Sequence, residues 1–200
     1  MLKIAGLLRG DIDRGHTILE VSKKLKIGYR PAHNHITAMA NEDMIKTNMV
    51  GNARQTMLNL DNDKTRILLA ELDLKKKEEL YRKHPKLRDI LEALVKRLDF
   101  ASGIHSIVLF GSYAKGSALK DSDIDLLFIV SDMSDKKIRD EIERESASFH
   151  MSHNAKVNPL ITDIAEFRKM LEADDINVGK EVRKEGISIY GSEMFWRAAA

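Results

Sequence analysis

The sequence predicts an α+β chain: a helical N-terminal unit closed by a hairpin, a linker helix, then a mixed sheet flanked by helices. Three observations carry this. Residues 107–110, an apolar run, and 123–130, apolar after two carboxylates at its start, read as strands on either side of a Gly-Ser turn. Leu87, Ile90, Leu91, Leu94, Val95 and Leu98 fall at helical spacing just before them. Residues 2–60 read as three helices followed by two strands, with short connections.

Composition sets the outer bounds. With 200 residues, 43% hydrophobic and 32% charged, the chain has an ordinary globular balance and room for two small cores. A net charge of +2 is too small to argue for a nucleic-acid partner, so such an argument must rest on local clustering. The absence of cysteine excludes disulfides and thiolate metal sites. No run approaches the ~20 apolar residues that span a bilayer. Residues 1–10 only superficially look like a signal peptide, because charges interrupt a short apolar part and no cleavage site follows. The expectation is a cytoplasmic protein with no membrane partner.

Taken in order, residues 2–9 form a short amphipathic helix ended by Gly10. Thr17-Ile18-Leu19-Glu20 fits a capping box that opens a second helix, with Ile18, Val21 and Leu25 inward and Gly28 as its C′ residue. Pro31 suits the first turn of a third helix running to Asn41, with Ile36 and Met39 inward. Residues 46–50 and 55–60 then make a hairpin around Gly51-Asn52-Ala53-Arg54. Three helices and a hairpin resemble a winged helix-turn-helix domain, which implies double-stranded DNA as a partner. In that resemblance the third helix enters the major groove. Arg30, His33, Asn34, His35 and Thr37 are then base or phosphate contacts, and Lys46 and Arg54 wing contacts to the backbone. The other reading of residues 1–63 is a three-helix domain used for homodimerisation or packing. His33 and His35, two apart on a helix, face different ways and read as surface residues rather than metal ligands.

Residues 64–85 read as a linker helix, with Ile67, Leu68, Leu72 and Leu80 on one face, broken at His84-Pro85. Residues 86–200 form the second domain. Its organising stretch is Ser106-Ile-Val-Leu-Phe-Gly-Ser-Tyr-Ala-Lys-Gly-Ser, followed by Ser122-Asp-Ile-Asp-Leu. Side chains alternate along a strand, so Asp123 and Asp125 share a face, and their repulsion calls for a hard cation such as Mg²⁺. Gly111 allows close backbone approach, Ser112 offers a hydroxyl and an amide, and Lys115 adds a point charge, together an anion site suited to phosphates. An isolated Asp-x-Asp is usually a plain strand start; the Gly-Ser turn and both flanking strands make the difference here.

This pattern resembles the signature of the DNA polymerase β-type nucleotidyltransferase superfamily, and most of all its small prokaryotic "minimal" members. The resemblance implies an enzyme that transfers NMP from NTP to a hydroxyl. Asp123 and Asp125 would be the catalytic, Mg²⁺-holding pair, and Gly111, Ser112 and Lys115 would bind nucleotide. It also implies a third carboxylate on the next strand. The matching stretch, residues 156–161, carries Asn158 there, and an amide cannot act as a base. Asp163 is the nearest acid, and a capping-box context accounts for it. The metal site therefore reads as two carboxylates with the third missing or displaced.

The remaining elements are a polar helix capped by Ser134 through Phe149, an edge strand carrying Pro159, and a helix from Asp163 to Ala173. A short helix over 178–184, a strand over 187–190 and a disordered 197–200 end follow. His150 and His153 sit at a helix end, where such residues are favoured without metal. Three functions fit: a transferase located or regulated by its DNA-binding module, a DNA-binding regulator whose transferase-type domain senses nucleotide or dimerises, and an antitoxin-like protein with a toxin partner.

Overall fold

The structure, a computed structural model, describes residues 1–98, 103–120, 122–153 and 155–200, with the side chains of all of these but 151–153. The chain divides into two compact units, Met1–Leu72 and Asp73–Ala199.

In the first unit, α1 (Leu2–Gly10), α2 (Ile18–Leu25) and α3 (Tyr29–Asn41) precede an antiparallel pair, β1 (Ile45–Val50) and β2 (Ala53–Leu58). Ile4, Ala5, Leu8, Val21, Ala32, Ile36 and Met39 fill its interior. The Thr17 capping box forms in full: Thr17 Oγ1 accepts from the Glu20 backbone at 3.2 Å, and Glu20 accepts from the Thr17 backbone at 2.8 Å. Gly28 does not end α2. Lys26 does so in the left-handed region (φ 52°), while Gly28 stands as the N-cap of α3. Lys26 gains two backbone bonds there, to the Lys23 and Ser22 carbonyls, which offset its conformational cost. His16 and Thr56 exchange backbone bonds at 3.0 and 2.7 Å, tying the loop before α2 to β2.

Helix α4 (Asp63–Lys83) starts in the first unit and ends in the second. Its inner stripe differs from the apolar reading. Ile67 is 64% exposed, whereas Thr65, Leu69, Asp73 and Leu80 are buried. The stripe admits polar residues because they are hydrogen-bonded: Thr65 donates to the Met44 carbonyl at 3.1 Å.

The second unit is built on a four-stranded sheet in the order β5-β4-β3-β6. These are β3 (Ile104–Phe110), β4 (Ile124–Val130), β5 (Val157–Asp163) and β6 (Ile187–Tyr190). Strand β3 is antiparallel to β4 and β6, and β5 runs parallel to β4 at an edge. Leu126 to Val130 are buried without alternation, because β4 is covered on both faces. Helix α5 (Pro85–Leu98) packs Leu87, Ile90, Leu91, Leu94 and Leu98 into this core, joined by Ile138, Ile142 and Phe149 of α7 (Lys136–His153). Ser134, expected to cap α7, donates instead to Asp132 at 2.8 Å, and Asp135 accepts from the Lys137 backbone. Between β3 and β4 lies the short α6 (Gly111–Lys115); after β5 come α8 (Ile164–Glu172) and α9 (Val178–Glu185).

The end expected to be disordered from Arg197 instead carries the last turn of a helix, α10 (Ser192–Ala198), and Ala198 and Ala199 are buried, as are Phe195 and Trp196 before them. Trp196 Nε1 donates to the buried Asp73 carboxylate at 2.8 Å, and Ser192 Oγ does so at 3.2 Å. Burial of two aromatic rings outweighs the weak helix signal of so short a tail.

Candidate functional site

Residues converge on one end of the central strands. Phe110, the last residue of β3, is the register partner of Asp125, so the turn that follows β3 lies beside the start of β4. Gly111 makes that turn at φ 68°, and a Cβ placed on it would lie 2.3 Å from Asp125 Oδ2. Only glycine therefore brings the backbone this close to the carboxylate. Ser112 follows Gly111 in the first turn of α6, and its carbonyl accepts from the Ser117 backbone at 2.9 Å.

Asp123 and Asp125 project to one face, as strand alternation requires. Asn158 is the register partner of Asp125 on β5. Its Nδ2 donates to Asp123 Oδ2 and to Asp125 Oδ1, both at 3.1 Å. Lys156, two residues earlier and so on the same face, donates to Asp123 Oδ2 at 2.7 Å. The Lys156 bond, then that from Asn158, hold the Asp123 carboxyl below its ordinary pKa. Asp123, Asp125, Gly111 and Asn158 are thus one cluster. Lys115 turns elsewhere and pairs with Glu181 of α9 at 2.8 Å, a bond that raises its pKa.

The donor chemistry of this cluster suits a hard cation. Two carboxylates can share Mg²⁺ with substrate phosphates. Asn158, turned over about its terminal amide, would add a carbonyl oxygen to the set. Lys156 now supplies the positive charge that the pair needs and would compete with a cation for Asp123. Among the described residues no group of three His, Cys, Asp or Glu side chains is placed to hold a metal. His150 lies nearby, in the cleft beside Asp123, and the side chain of His153 is outside the described residues.

Sequence reasoning passed over Lys156, although period-2 alternation places it on the face of Asn158. It also passed over the cleft of about 560 Å³ that opens at Asp123 and Lys156, floored by Leu87, Ile90 and Ile124. A cavity of about 810 Å³ between α4 and α5, lined by Tyr81, Arg82, Arg88 and Lys96 among others, stands away from the aspartates. Burial pushes the Tyr81 phenol there up to about 12.

In the first unit, Arg30, His33, Asn34, His35 and Thr37 are all exposed on α3. Arg54 is exposed on β2, and Lys46 on β1 pairs with Asp61 at 2.6 Å. Among the described residues no helix is long and apolar enough to cross a membrane.

Comparison with known proteins places this site in a family. The family described as "Nucleotidyltransferase domain" matches residues 86–185, half of the 200 residues. The chain belongs to the nucleotidyltransferase domain family. Two proteins of Methanocaldococcus jannaschii are similar in sequence. "Putative protein adenylyltransferase MJ0141" is 26% identical over 102 residues, covering 51% of this chain and 89% of that protein. "Putative protein adenylyltransferase MJ1305" is 31% identical over 81 residues, covering 38% of this chain and 55% of that protein. Among solved structures, a toxin–antitoxin crystal structure with AMP-PNP aligns at a TM-score of 0.37 and 19% identity, over 56% of this chain and 82% of that one. A mutant toxin–antitoxin MntA-HpeT structure aligns at 0.37 and 15%, over 55% and 83%.

Proposed function

We propose that residues 86–200 form a nucleotidyltransferase that moves NMP from Mg-NTP to a hydroxyl, with a protein as acceptor. The observation that carries this is the cluster itself. Two carboxylates stand at the start of β4, beside a glycine turn where a Cβ would lie 2.3 Å from Asp125 Oδ2, in a chain of the nucleotidyltransferase domain family. The protein acceptor follows the names of the similar M. jannaschii proteins.

Asp123 and Asp125 would hold Mg²⁺, which when bound neutralises phosphate charge and polarises the reacting phosphoryl group. Gly111 and Ser112 would line the triphosphate. Lys115, held by Glu181, would reach the phosphates only after leaving that pair. The acceptor oxygen forms a bond to the α-phosphorus, and the bond to the bridging oxygen breaks. That electron pair departs with pyrophosphate, and the hydroxyl proton passes to solvent. Asn158 cannot take the proton, so the residues work by positioning and charge rather than general base catalysis. Label transfer from α-radiolabelled ATP to protein, absent in Asp125→Asn, is the expected result; equal labelling in that variant would refute the assignment.

Residues 1–63, joined by the 64–85 helix, we read as a winged helix-turn-helix DNA-binding domain. The helix order, the hairpin and the row of exposed polar side chains on α3 support it. Binding to duplex DNA that weakens steeply with salt is the test. A second reading, a nucleotide-sensing site without turnover, draws support from the Asn158 and Lys156 contacts. Nucleotide binding without label transfer would select it.

A further inference from the structure

We infer that the cleft opening at Asp123 is the acceptor subsite, and that it takes an acidic, hydroxyl-bearing segment of a partner protein. This rests on the transferase reading of the Asp123/Asp125 cluster and adds where the second substrate lies and what charge it carries.

Asp125 touches the Gly111 turn. Asp123 and Lys156 line the cleft of about 560 Å³, which reaches Tyr113 of α6 but is lined by neither Gly111, Ser112 nor Asp125. In phosphoryl transfer the attacking and leaving oxygens lie roughly in line across the phosphorus. A triphosphate held at the Gly111 turn would leave the cleft beside Asp123 free for the attacking hydroxyl. The cleft is large enough for several side chains and is not a simple ion site.

Its chemistry selects the occupant. Leu87, Ile90 and Ile124 floor it, and Tyr113 meets His84 edge-on at 5.4 Å along one wall. Lys86 and Lys120 stand exposed at the rim, with no carboxylate partner among the described residues. Lys156 adds to the same sign, and Asp123, already held by Lys156, is the acid among the described lining residues. Leu119 beside Lys120 is 79% exposed, an apolar contact left for a partner. An apolar floor, a bare leucine and a cationic rim fit a peptide with acidic residues near an apolar one. A nucleic-acid end would leave the leucine and the apolar floor unmatched.

The test uses the full chain and measures binding by fluorescence anisotropy. The probes are a labelled random glutamate–tyrosine copolymer, a lysine–tyrosine copolymer and an oligothymidylate with a free hydroxyl end. Expected is binding of the acidic copolymer, weakened about tenfold or more in the Lys86→Glu/Lys120→Glu double variant, which should gain affinity for the lysine–tyrosine copolymer. The control reversal Lys136→Glu/Lys137→Glu, at exposed positions on α7, should leave binding within about twofold. Equal losses in both double variants, or no loss in the first, would overturn the assignment. So would oligothymidylate binding that is tighter than the copolymer's and lost with Lys86 and Lys120. Melting shifts with Mg²⁺ and a non-hydrolysable ATP analogue, taken on the same variants, report the donor site separately. Shifts retained with cleft-independent copolymer binding refute the subsite alone. No shift in the parent, with cleft-dependent copolymer binding, refutes the donor reading and leaves the acidic-peptide site in place.

Discussion

Asn158 stands directly across the sheet from Asp125, and its amide nitrogen lies 3.1 Å from that carboxylate. The same nitrogen also donates to Asp123, so on the transferase reading proposed above this is the position for a third acid. Asn158→Asp should crowd three carboxylates together. Without divalent cation the variant should melt below the parent; with Mg²⁺ or Mn²⁺ the order should narrow or reverse. Label transfer should rise, toward the ~10²–10⁴-fold that a placed general base contributes. Mn²⁺ titration followed by electron paramagnetic resonance would check the affinity, and no tightening would rule out Asn158 as the vacant ligand position.

Lys156 would compete with a cation for Asp123. The pair is exposed, 61% on the lysine and 38% on the aspartate, so Lys156→Met should cost at most about 1 kcal/mol in stability. Divalent-cation affinity should rise, and isothermal titration calorimetry of parent and variant would show it. A weaker affinity would mean that Lys156 supports the site rather than occludes it.

Gly111→Ala should be more damaging than Gly116→Ala. Both glycines hold φ near 70°, which costs a substituted residue about 1–2 kcal/mol. At Gly116 a Cβ meets open space, whereas at Gly111 it meets Asp125. Denaturant melts should place Gly111→Ala below Gly116→Ala, and Gly111→Ala should lose the Mg-nucleotide melting shift.

Much of this site was legible in the sequence, for a definite reason. Alternation fixes which side chains share a face, so Asp123 and Asp125 could be paired before any coordinates, and the family resemblance then pointed to Asn158 on the next strand. The same rule reaches Lys156, but a lysine at a strand start carries no chemical signal until its partner is known. Lys115 shows what spacing cannot reach: its place beside the Gly-Ser turn suggested phosphates, and only long-range packing reveals Glu181 as its partner. Helix α5 showed itself through an unbroken apolar stripe, while α4 hid its stripe behind Thr65 and Asp73. Helix α10 was missed because two aromatic residues in a short tail have no period to read.

Asp73 binds the indole of Trp196 inside the second unit, and both are buried. Asp73→Ala leaves that N–H without this acceptor and should cost about 1–3 kcal/mol. Trp196→Ala should cost about 3–5 kcal/mol. Urea melts monitored by far-UV circular dichroism would measure both. Losses under 1 kcal/mol would mean that the end of the chain is not held by this contact.

The Thr17 capping box should give the first unit an acid-dependent stability. The Thr17 backbone hydrogen bond, more than any other interaction, lowers the Glu20 pKa. A carboxylate with a depressed folded-state pKa contributes stability that is fully present above its ordinary value of about 4.3. The contribution is lost as pH falls through the lowered value. Glu20→Gln should therefore melt below the parent at neutral pH and converge with it in acid. Thr17→Ala should cost about 1 kcal/mol. Melting curves across that pH range on parent and variants would decide both.

The central position of β3 also constrains how the chain can be made. Its partner β6 arrives late: Ser106 bonds to the Tyr190 carbonyl 84 residues further on. The Asp73–Trp196 contact spans 123 residues. On the ribosome the glycine turn and both aspartates would emerge while one edge of β3 was still bare and apolar. Unpaired edges of this kind invite misassociation until they are covered. A nascent chain arrested before residue 187 would carry every group of the aspartate cluster and still be a substrate for chaperones rather than for nucleotide.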